Sequence, residues 1–303
     1  MNSSPSLPPN PAIPEDPRFP IGTRVVKSQQ HLSNAFIEGI LMSQLKVDFG
    51  LTARDYAEHR AGFPDSLFQR LKQRGIGLPG QVVVDLGTGT GTLARGFALR
   101  DCKVIGIDVA EPLLQEARRL SKRTGIEIDF RFGRAEATGL PAQFANLVTA
   151  GQCWHWFDSH QAAREVARIL KPGGNLVIAH FDWLPLHGNV VEATENLILH
   201  HNPAWSYAGT LGIHPQWLRD LGENGYRDLE TFSYDVEIPY TPEDWRGRIR
   251  ASSGVGASLP SDRVELFDRE LAEVLRTQFP GDVLDIPHRV FTVIARSPSS
   301  SPA

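Results

Sequence analysis

The segment Val84-Asp85-Leu86-Gly87-Thr88-Gly89-Thr90-Gly91 constrains this chain more than any other. It continues the β-branched run Val82-Val83-Val84, which reads as a buried parallel strand. Residues 90–100 behind it read as a helix. Glycine reaches backbone angles closed to other residues and lets a ligand approach the main chain closely. Strand, glycine turn and helix in that order place a nest of backbone amides at the carboxyl edge of a parallel sheet, where ligands of such sheets bind.

The rest of the chain continues the alternation. Val104-Ile105-Gly106-Ile107 is a second strand ending at Asp108, and Pro112 falls in the first turn of the next helix, where its missing N–H is harmless. Ile126 to Phe132 reads as a third strand and Leu147 to Ala150 as a fourth. Asp158 caps a helix over 159–169, Lys171-Pro172-Gly173-Gly174 is a turn, and Leu176 to Ala179 is a fifth strand. Helices precede the glycine turn: one over residues 28–47, and one after Pro64-Asp65 that stops at Gly75. Residues 183–227, rich in Trp, His and Asn, read as an insertion over the active-site edge, with helices near 189–201 and after Pro215. Strands at 228–238 and 289–295 bring the sheet to seven, and between them Thr241-Pro242-Glu243-Asp244 opens one helix and 261–278 forms another. The pattern predicts a doubly wound, mostly parallel α/β sheet with N-terminal helices and a helical cap. It divides into a tail over 1–22, a domain over 23–296 (core 80–182, cap and last strands 183–296) and a Ser/Pro tail over 297–303.

Composition narrows the partners. A net charge of −4 provides no basic field for nucleic acid or an anionic membrane surface. No apolar run approaches the roughly 20 residues that span a bilayer. The proline-rich start lacks the apolar stretch of a signal peptide. Cys102 and Cys153 have no metal-ligand spacing and form no disulfide framework, which fits a reducing, cytoplasmic setting.

The spacing of the glycines discriminates among cofactors. A nicotinamide fingerprint requires glycine at the sixth position from Gly87, where this chain has Thr92. No Gly-Lys-Ser/Thr follows, so the loop is not a Walker loop. The acid two residues before Gly87 would repel a pyrophosphate but suits the ammonium of a bound amino acid. Asp108, at a strand end, is placed to accept both hydroxyls of a ribose.

Together Asp85–Gly91, Asp108 and the strand order resemble the class I S-adenosylmethionine-dependent methyltransferases over roughly residues 80–182. The wider pattern is similar to their small-molecule branch, which includes the trans-aconitate and ubiquinone/menaquinone methyltransferases. The resemblance implies a Rossmann-like fold and S-adenosyl-L-methionine as cofactor, held by Asp85, Gly87, Thr88, Gly89, Gly91, Asp108 and Val109. Asp55-Tyr56, Arg60 and Phe63-Pro64 resemble a lead-in helix that brings Tyr56 and Arg60 near the methionine end, though a surface helix would read the same way. Gly133-Arg134-Ala135-Glu136 stands where the family commonly has Gly-Asp-Ala-Glu. Ala135 keeps the N–H that meets adenine, Arg134 replaces the usual acid, and Glu136 is the nearest substitute acceptor. Gln152-Cys153-Trp154-His155-Trp156-Phe157 carries the branch's His-Trp-Phe, which implies that Gln152 touches the cofactor and Trp154 or Trp156 shapes the acceptor pocket. His155 is the candidate base for an acceptor hydroxyl; a structural His between aromatics is the competing reading.

Methyl transfer from a sulfonium needs alignment more than a catalytic triad, and no Gly-x-Ser-x-Gly elbow is present. Trp183 and Trp205 are expected to line an acceptor site. Among Arg246, Arg248 and Arg250, Arg248 is the candidate partner of an acidic acceptor, against a solvated helix face as the favoured reading. His200, His201 and His214 match no standard metal spacing, so no metal is expected. The expected reaction methylates a small molecule, at oxygen of a carboxylate or hydroxyl before carbon or nitrogen, with no nucleic-acid or membrane partner. The competing classes are a nicotinamide oxidoreductase and a non-catalytic S-adenosylmethionine-binding scaffold. Oligomeric state is not written in the sequence.

Overall fold

The computed structural model describes residues 62–298. The helix expected over 28–47, Tyr56 and Arg60, and nearly all of both tails lie outside the described residues. Within them, seven strands form one sheet in the order β3-β2-β1-β4-β5-β7-β6. These are β1 (Val82–Leu86), β2 (Lys103–Asp108), β3 (Asp129–Phe132), β4 (Ala145–Gly151), β5 (Leu170–Trp183), β6 (Arg227–Tyr240) and β7 (Leu284–Arg296). The first five run parallel, and β7 inserts antiparallel between β5 and β6. The chain leaves β1 first toward β2 and later toward β4, so the switch point lies at the carboxyl end of β1.

The strands differ as their positions require. Central β1 is almost wholly buried, so apolar β-branched side chains face both helix layers. Edge strand β6 alternates exposed and half-buried positions. Helices α1 (Asp65–Lys72), α2 (Thr92–Ala98), α3 (Glu111–Thr124) and α4 (Ser159–Ile169) accompany the parallel part. Leu67, Phe68 and Leu71 of α1 bury one face, and Phe68 meets Phe97 of α2 edge-on at 5.1 Å. The caps follow the sequence: Asp158 accepts from the Gln161 amide, and Gly125 closes α3 at φ 69°.

Beyond β5, helices α5 (Val190–His201), α6 (Gln216–Glu223), α7 (Pro242–Arg250) and α8 (Ser261–Gln278) are added. Trp245, Phe267, Leu271 and Ile286 center a third apolar core there, separate from the two cores flanking the sheet. Trp245 is fully buried, and its single polar atom donates to Thr194 Oγ1 at 3.1 Å, so its burial leaves nothing unsatisfied.

Two expectations are corrected. The third strand starts at Asp129, not Ile126. Lys171–Gly174 does not stand apart as a turn but is carried in β5 as an irregularity: Ala145 pairs with Leu170, and the ladder resumes at Leu147 with Asn175. Among the described residues no helix is long and apolar enough to cross a membrane.

Candidate active site

The loop after β1 holds its shape through glycine and one buried carboxylate. Gly87, Gly89 and Gly91 all have positive φ, at 58°, 55° and 80°. Gly87 is required twice over: a Cβ there would come within 2.7 Å of Cys153 Sγ. At Gly89 a Cβ would meet nothing within 4 Å, so the loop is packed on one side and open on the other. Asp85 is 1 % exposed. Its two oxygens accept from Thr88 Oγ1 at 2.7 Å and Thr149 Oγ1 at 2.6 Å. Burial pushes its carboxyl up to about 6 against the pull of those hydrogen bonds. Asp85, expected to meet an ammonium, lies beneath the loop and braces it through both oxygens.

Asp108 stands at the end of β2 and accepts from the amides of Gly89 and Ala110, each at 2.8 Å. Each carboxylate oxygen retains a second lone pair for a sugar hydroxyl. Burial also raises the Asp108 carboxyl. Val109 next to it is 60 % exposed, and Phe132, which pairs in register with Asp108, is 68 % exposed. Two exposed apolar side chains beside a fixed carboxylate suit a planar base joined to a ribose. Sequence reasoning missed Phe132; the signal was an apolar residue closing a strand just before Gly133. Ala135 is buried, whereas Arg134 is exposed and pairs with Glu136 at 3.4 Å. Glu136 also accepts from the Asp158 amide at 3.1 Å, so it ties this turn to the start of α4.

The segment after β4 joins this loop to a cavity of about 270 Å³. Cys153 Sγ donates to the Leu86 carbonyl at 3.1 Å, which packs the segment onto the glycine turn. Gln152 adopts φ 59°, a left-handed backbone that costs a non-glycine residue about 1 kcal/mol. Its amide donates to the Ala179 carbonyl at 2.9 Å and its side chain to the Phe181 carbonyl, which fixes it between β4 and β5. Gln152, His155, Trp156, Trp183, Trp205 and Arg248 all line the cavity. The His155 ring lies 4.7 Å from Trp156 and 5.6 Å from Tyr207.

Two readings of this region change. Trp154 does not shape the cavity: it is 1 % exposed, packs in the core under the 3-10 turn Trp154–Trp156, and donates to Asp220 at 3.2 Å. Its neighbor Trp156 takes the lining position. Arg248 is not on a solvated face: it is 8 % exposed, with its guanidinium 4.6 Å from the Trp183 ring. Arg246 and Arg250, half-buried on the same helix, pair with Glu243 and with Asp268 instead. His200, His201 and His214 do not gather: His201 bonds Glu270 of α8 at 2.8 Å, and His214 lines the cavity.

His180, Asp182 and Tyr207, which sequence reasoning missed, also line the cavity. Asp182 Oδ2 accepts from His180 Nδ1 at 2.6 Å and His214 Nε2 at 2.9 Å. Burial alone would raise the Asp182 carboxyl; the two imidazoles overcome that and hold it well below the usual carboxylate range. The available signal was His180-x-Asp182 on one strand, since alternate residues share a face.

Comparison with known proteins agrees with this geometry. The family model described as a methyltransferase domain matches residues 84–178. A methyltransferase-like protein of Schizosaccharomyces pombe is 30 % identical over 233 residues, covering 76 % of this chain and 86 % of that protein. A ubiquinone biosynthesis O-methyltransferase of Stutzerimonas stutzeri is 37 % identical over 153 residues, covering 48 % of this chain and 66 % of its own. In fold the chain is similar to a putative type II methyltransferase of Anaeromyxobacter dehalogenans, with a TM-score of 0.55 at 19 % identity over 79 % of this chain and 97 % of that one.

Proposed function

Because the chain belongs to the class I S-adenosylmethionine-dependent methyltransferases, we propose that it methylates a small-molecule acceptor at oxygen. The donor's place fits the residues present: the open face over Gly89, the Asp108 carboxylate and the exposed Val109 and Phe132. Asp85, Gly87, Thr88, Gly89, Gly91, Asp108, Val109 and Ala135 hold it. Tyr56, Arg60, Arg134, Glu136 and Gln152 complete that set on the strength of the resemblance. When bound, S-adenosyl-L-methionine supplies an already activated methyl group.

One observation carries the acceptor reading. The segment Gln152–Trp156 touches the glycine turn through Cys153 and lines the cavity through Gln152, His155 and Trp156. An acceptor in that cavity lies beside the donor. About 270 Å³ of space suits a small molecule rather than a polymer. Trp156, Trp183, Trp205 and Tyr207 give the walls an aromatic part, and the chain's polar groups act on a few polar atoms of the acceptor. Arg248 binds an anionic group of the acceptor. His155 orients an acceptor hydroxyl and takes its proton; an acceptor carboxylate would need only the orientation. The Stutzerimonas relative's name, an O-methyltransferase, supports oxygen over nitrogen or carbon. Two cysteines in no disulfide fit a cytoplasmic setting.

The test has two steps. Calorimetry should register S-adenosylhomocysteine binding at micromolar levels and no heat with NAD(H). A panel of small phenols, hydroxy acids and carboxylic acids, incubated with the donor, should then yield a product heavier by one methylene, read by mass spectrometry. Donor binding with no turnover on any acceptor would favor the scaffold reading.

A further inference from the structure

His180, Asp182 and His214 present one ligand atom each, all within 4.8 Å of one another, on a wall of the acceptor cavity. We propose that they bind a divalent transition-metal ion of the zinc class, which holds the acceptor's oxygen.

The arrangement comes from two separate elements. His180 and Asp182 occupy alternate positions of β5 and so project to the same side of the sheet. His214 arrives from the segment before α6, and its ring stacks on Trp217 at 4.2 Å with an interplanar angle of 10°. The His180 ring lies 5.3 Å from the same indole. Trp217 is fully buried, so one fixed aromatic ring sets the position of both imidazoles. Ring positions fixed in advance reduce the ordering cost of binding an ion.

The donor set selects the kind of ion. Two imidazoles and one carboxylate suit zinc, iron, cobalt or manganese; magnesium and calcium prefer all-oxygen shells. Both rings now point a nitrogen at the same Asp182 oxygen, at 2.6 and 2.9 Å. An ion entering between the three atoms would take those lone pairs, and each ring would carry its proton on its other nitrogen. Three protein ligands leave at least one coordination position for solvent or substrate. All three ligands line the cavity, and the His155 ring lies 5.4 Å from the His180 ring. A hydroxyl or carboxylate oxygen occupying that position would sit beside His155. An ion there also lowers the pKa of a bound hydroxyl. The acceptor class this implies is an oxygen ligand such as a phenol or a hydroxy acid.

The ion's role in catalysis rests on the acceptor pocket proposed above; its binding does not. The test therefore measures metal directly. Tag-free full-length protein is stripped with chelator and dialyzed against Zn2+, or against Co2+ under anaerobic conditions. Mass-spectrometric elemental analysis should find a single ion per chain, and the Co2+ form should show ligand-field bands in the visible. His214→Ala and Asp182→Asn should each weaken metal binding by at least about tenfold. His187→Ala, at an exposed ring, should leave it unchanged. Heat of S-adenosylhomocysteine binding, retained in each variant, checks folding and tests the donor site independently. If Asp182→Asn loses that heat, His180→Gln replaces it. Sub-stoichiometric Zn2+ in the wild type, or equal Zn2+ in wild type and His214→Ala, overturns the proposal.

Discussion

The donor end and the acceptor end of this molecule are built in opposite ways. The donor end is nearly contiguous: Asp85–Gly91 and Asp108 lie on two adjacent strand ends, tied by the hydrogen bond from Gly89 to Asp108. The acceptor end draws on distant stretches: residues 152–156, 180–183, 205–216 and 248–253. The first is a matter of backbone conformation, which glycine and a buried acid dictate locally. The second is a matter of tertiary assembly, in which Trp217, Trp183 and the third core position side chains that share no sequence pattern. Mutations should therefore separate cleanly into those that cost donor affinity and those that cost acceptor use.

The largest effect comes from setting two glycines of one turn against each other. Gly87→Ala adds a methyl group against Cys153 at a positive φ. That combines a backbone cost of about 1–2 kcal/mol with overpacking of about 1–3 kcal/mol. Urea unfolding should show stability lower by about 2–5 kcal/mol, with donor binding lost. Gly89→Ala carries the backbone cost alone, because its Cβ meets open space. It should stay folded while S-adenosylhomocysteine affinity falls more than about tenfold, since the methyl group occupies ligand space. Unchanged affinity in a folded Gly89→Ala would show that the open face is not a ligand face.

Asp108→Ala ranks next. Two charge-assisted hydrogen bonds to a ribose, at about 1.5–3 kcal/mol each, would be lost. Calorimetry should show affinity for S-adenosylhomocysteine weakened by more than about tenfold. Unchanged affinity in a folded variant would remove the ribose assignment.

The same contrast explains what the sequence revealed. The glycine turn, Asp108 and the capped helices were legible because each depends on a few neighboring residues. The alternation of strands gave the sheet because buried parallel strands read as continuous apolar runs. The acceptor wall was legible only in part: Trp156, Trp183 and Trp205 were expected there and line the cavity, but the rest was not. Trp154 and Trp156 are two positions apart and equally aromatic, yet one is core and the other cavity. Only the 3-10 turn between them decides which. Arg248 reads as one of three arginines on a polar helix until Trp183, a long way back in sequence, is placed beneath it. His180, Asp182 and His214 belong together only after β5 and the segment before α6 have been packed.

Arg248 supplies the matching test on the acceptor side. Arg248→Met keeps much of the apolar stem but removes the charge over Trp183. For an anionic acceptor it should lower kcat/KM by about tenfold, chiefly through KM, for one lost charge-assisted contact. S-adenosylhomocysteine affinity should remain at the wild-type value. A loss of donor affinity of the same size would mean that the two ends are not separate.

The smallest effect on affinity is also the most specific, because it concerns one buried carboxyl beneath the glycine turn. Asp85 titrates near 6 in the folded chain, against an ordinary value of 3.8, since burial disfavors its charge. The folded state therefore holds a proton that the unfolded state has released. As pH rises from about 4 to about 6, Asp85 removes stability, in total about 3 kcal/mol, and above that range the loss is constant. A donor carrying an ammonium favors the ionized carboxylate, so binding should lower this pKa and affinity should rise as pH increases through about 6. The rise should be severalfold, since one pKa unit corresponds to about tenfold. Asp108, also raised by burial, contributes to the same slope, so the informative measurement is a difference. Asp85→Asn keeps hydrogen-bonding capacity toward Thr88 and Thr149 but cannot ionize. Calorimetric titrations of wild type and variant between pH 5 and 8, a range chosen to bracket the raised value of about 6, should differ by a component centered near it. Parallel profiles would mean that the charge of Asp85 does not reach the ligand, leaving it only the task of bracing the turn.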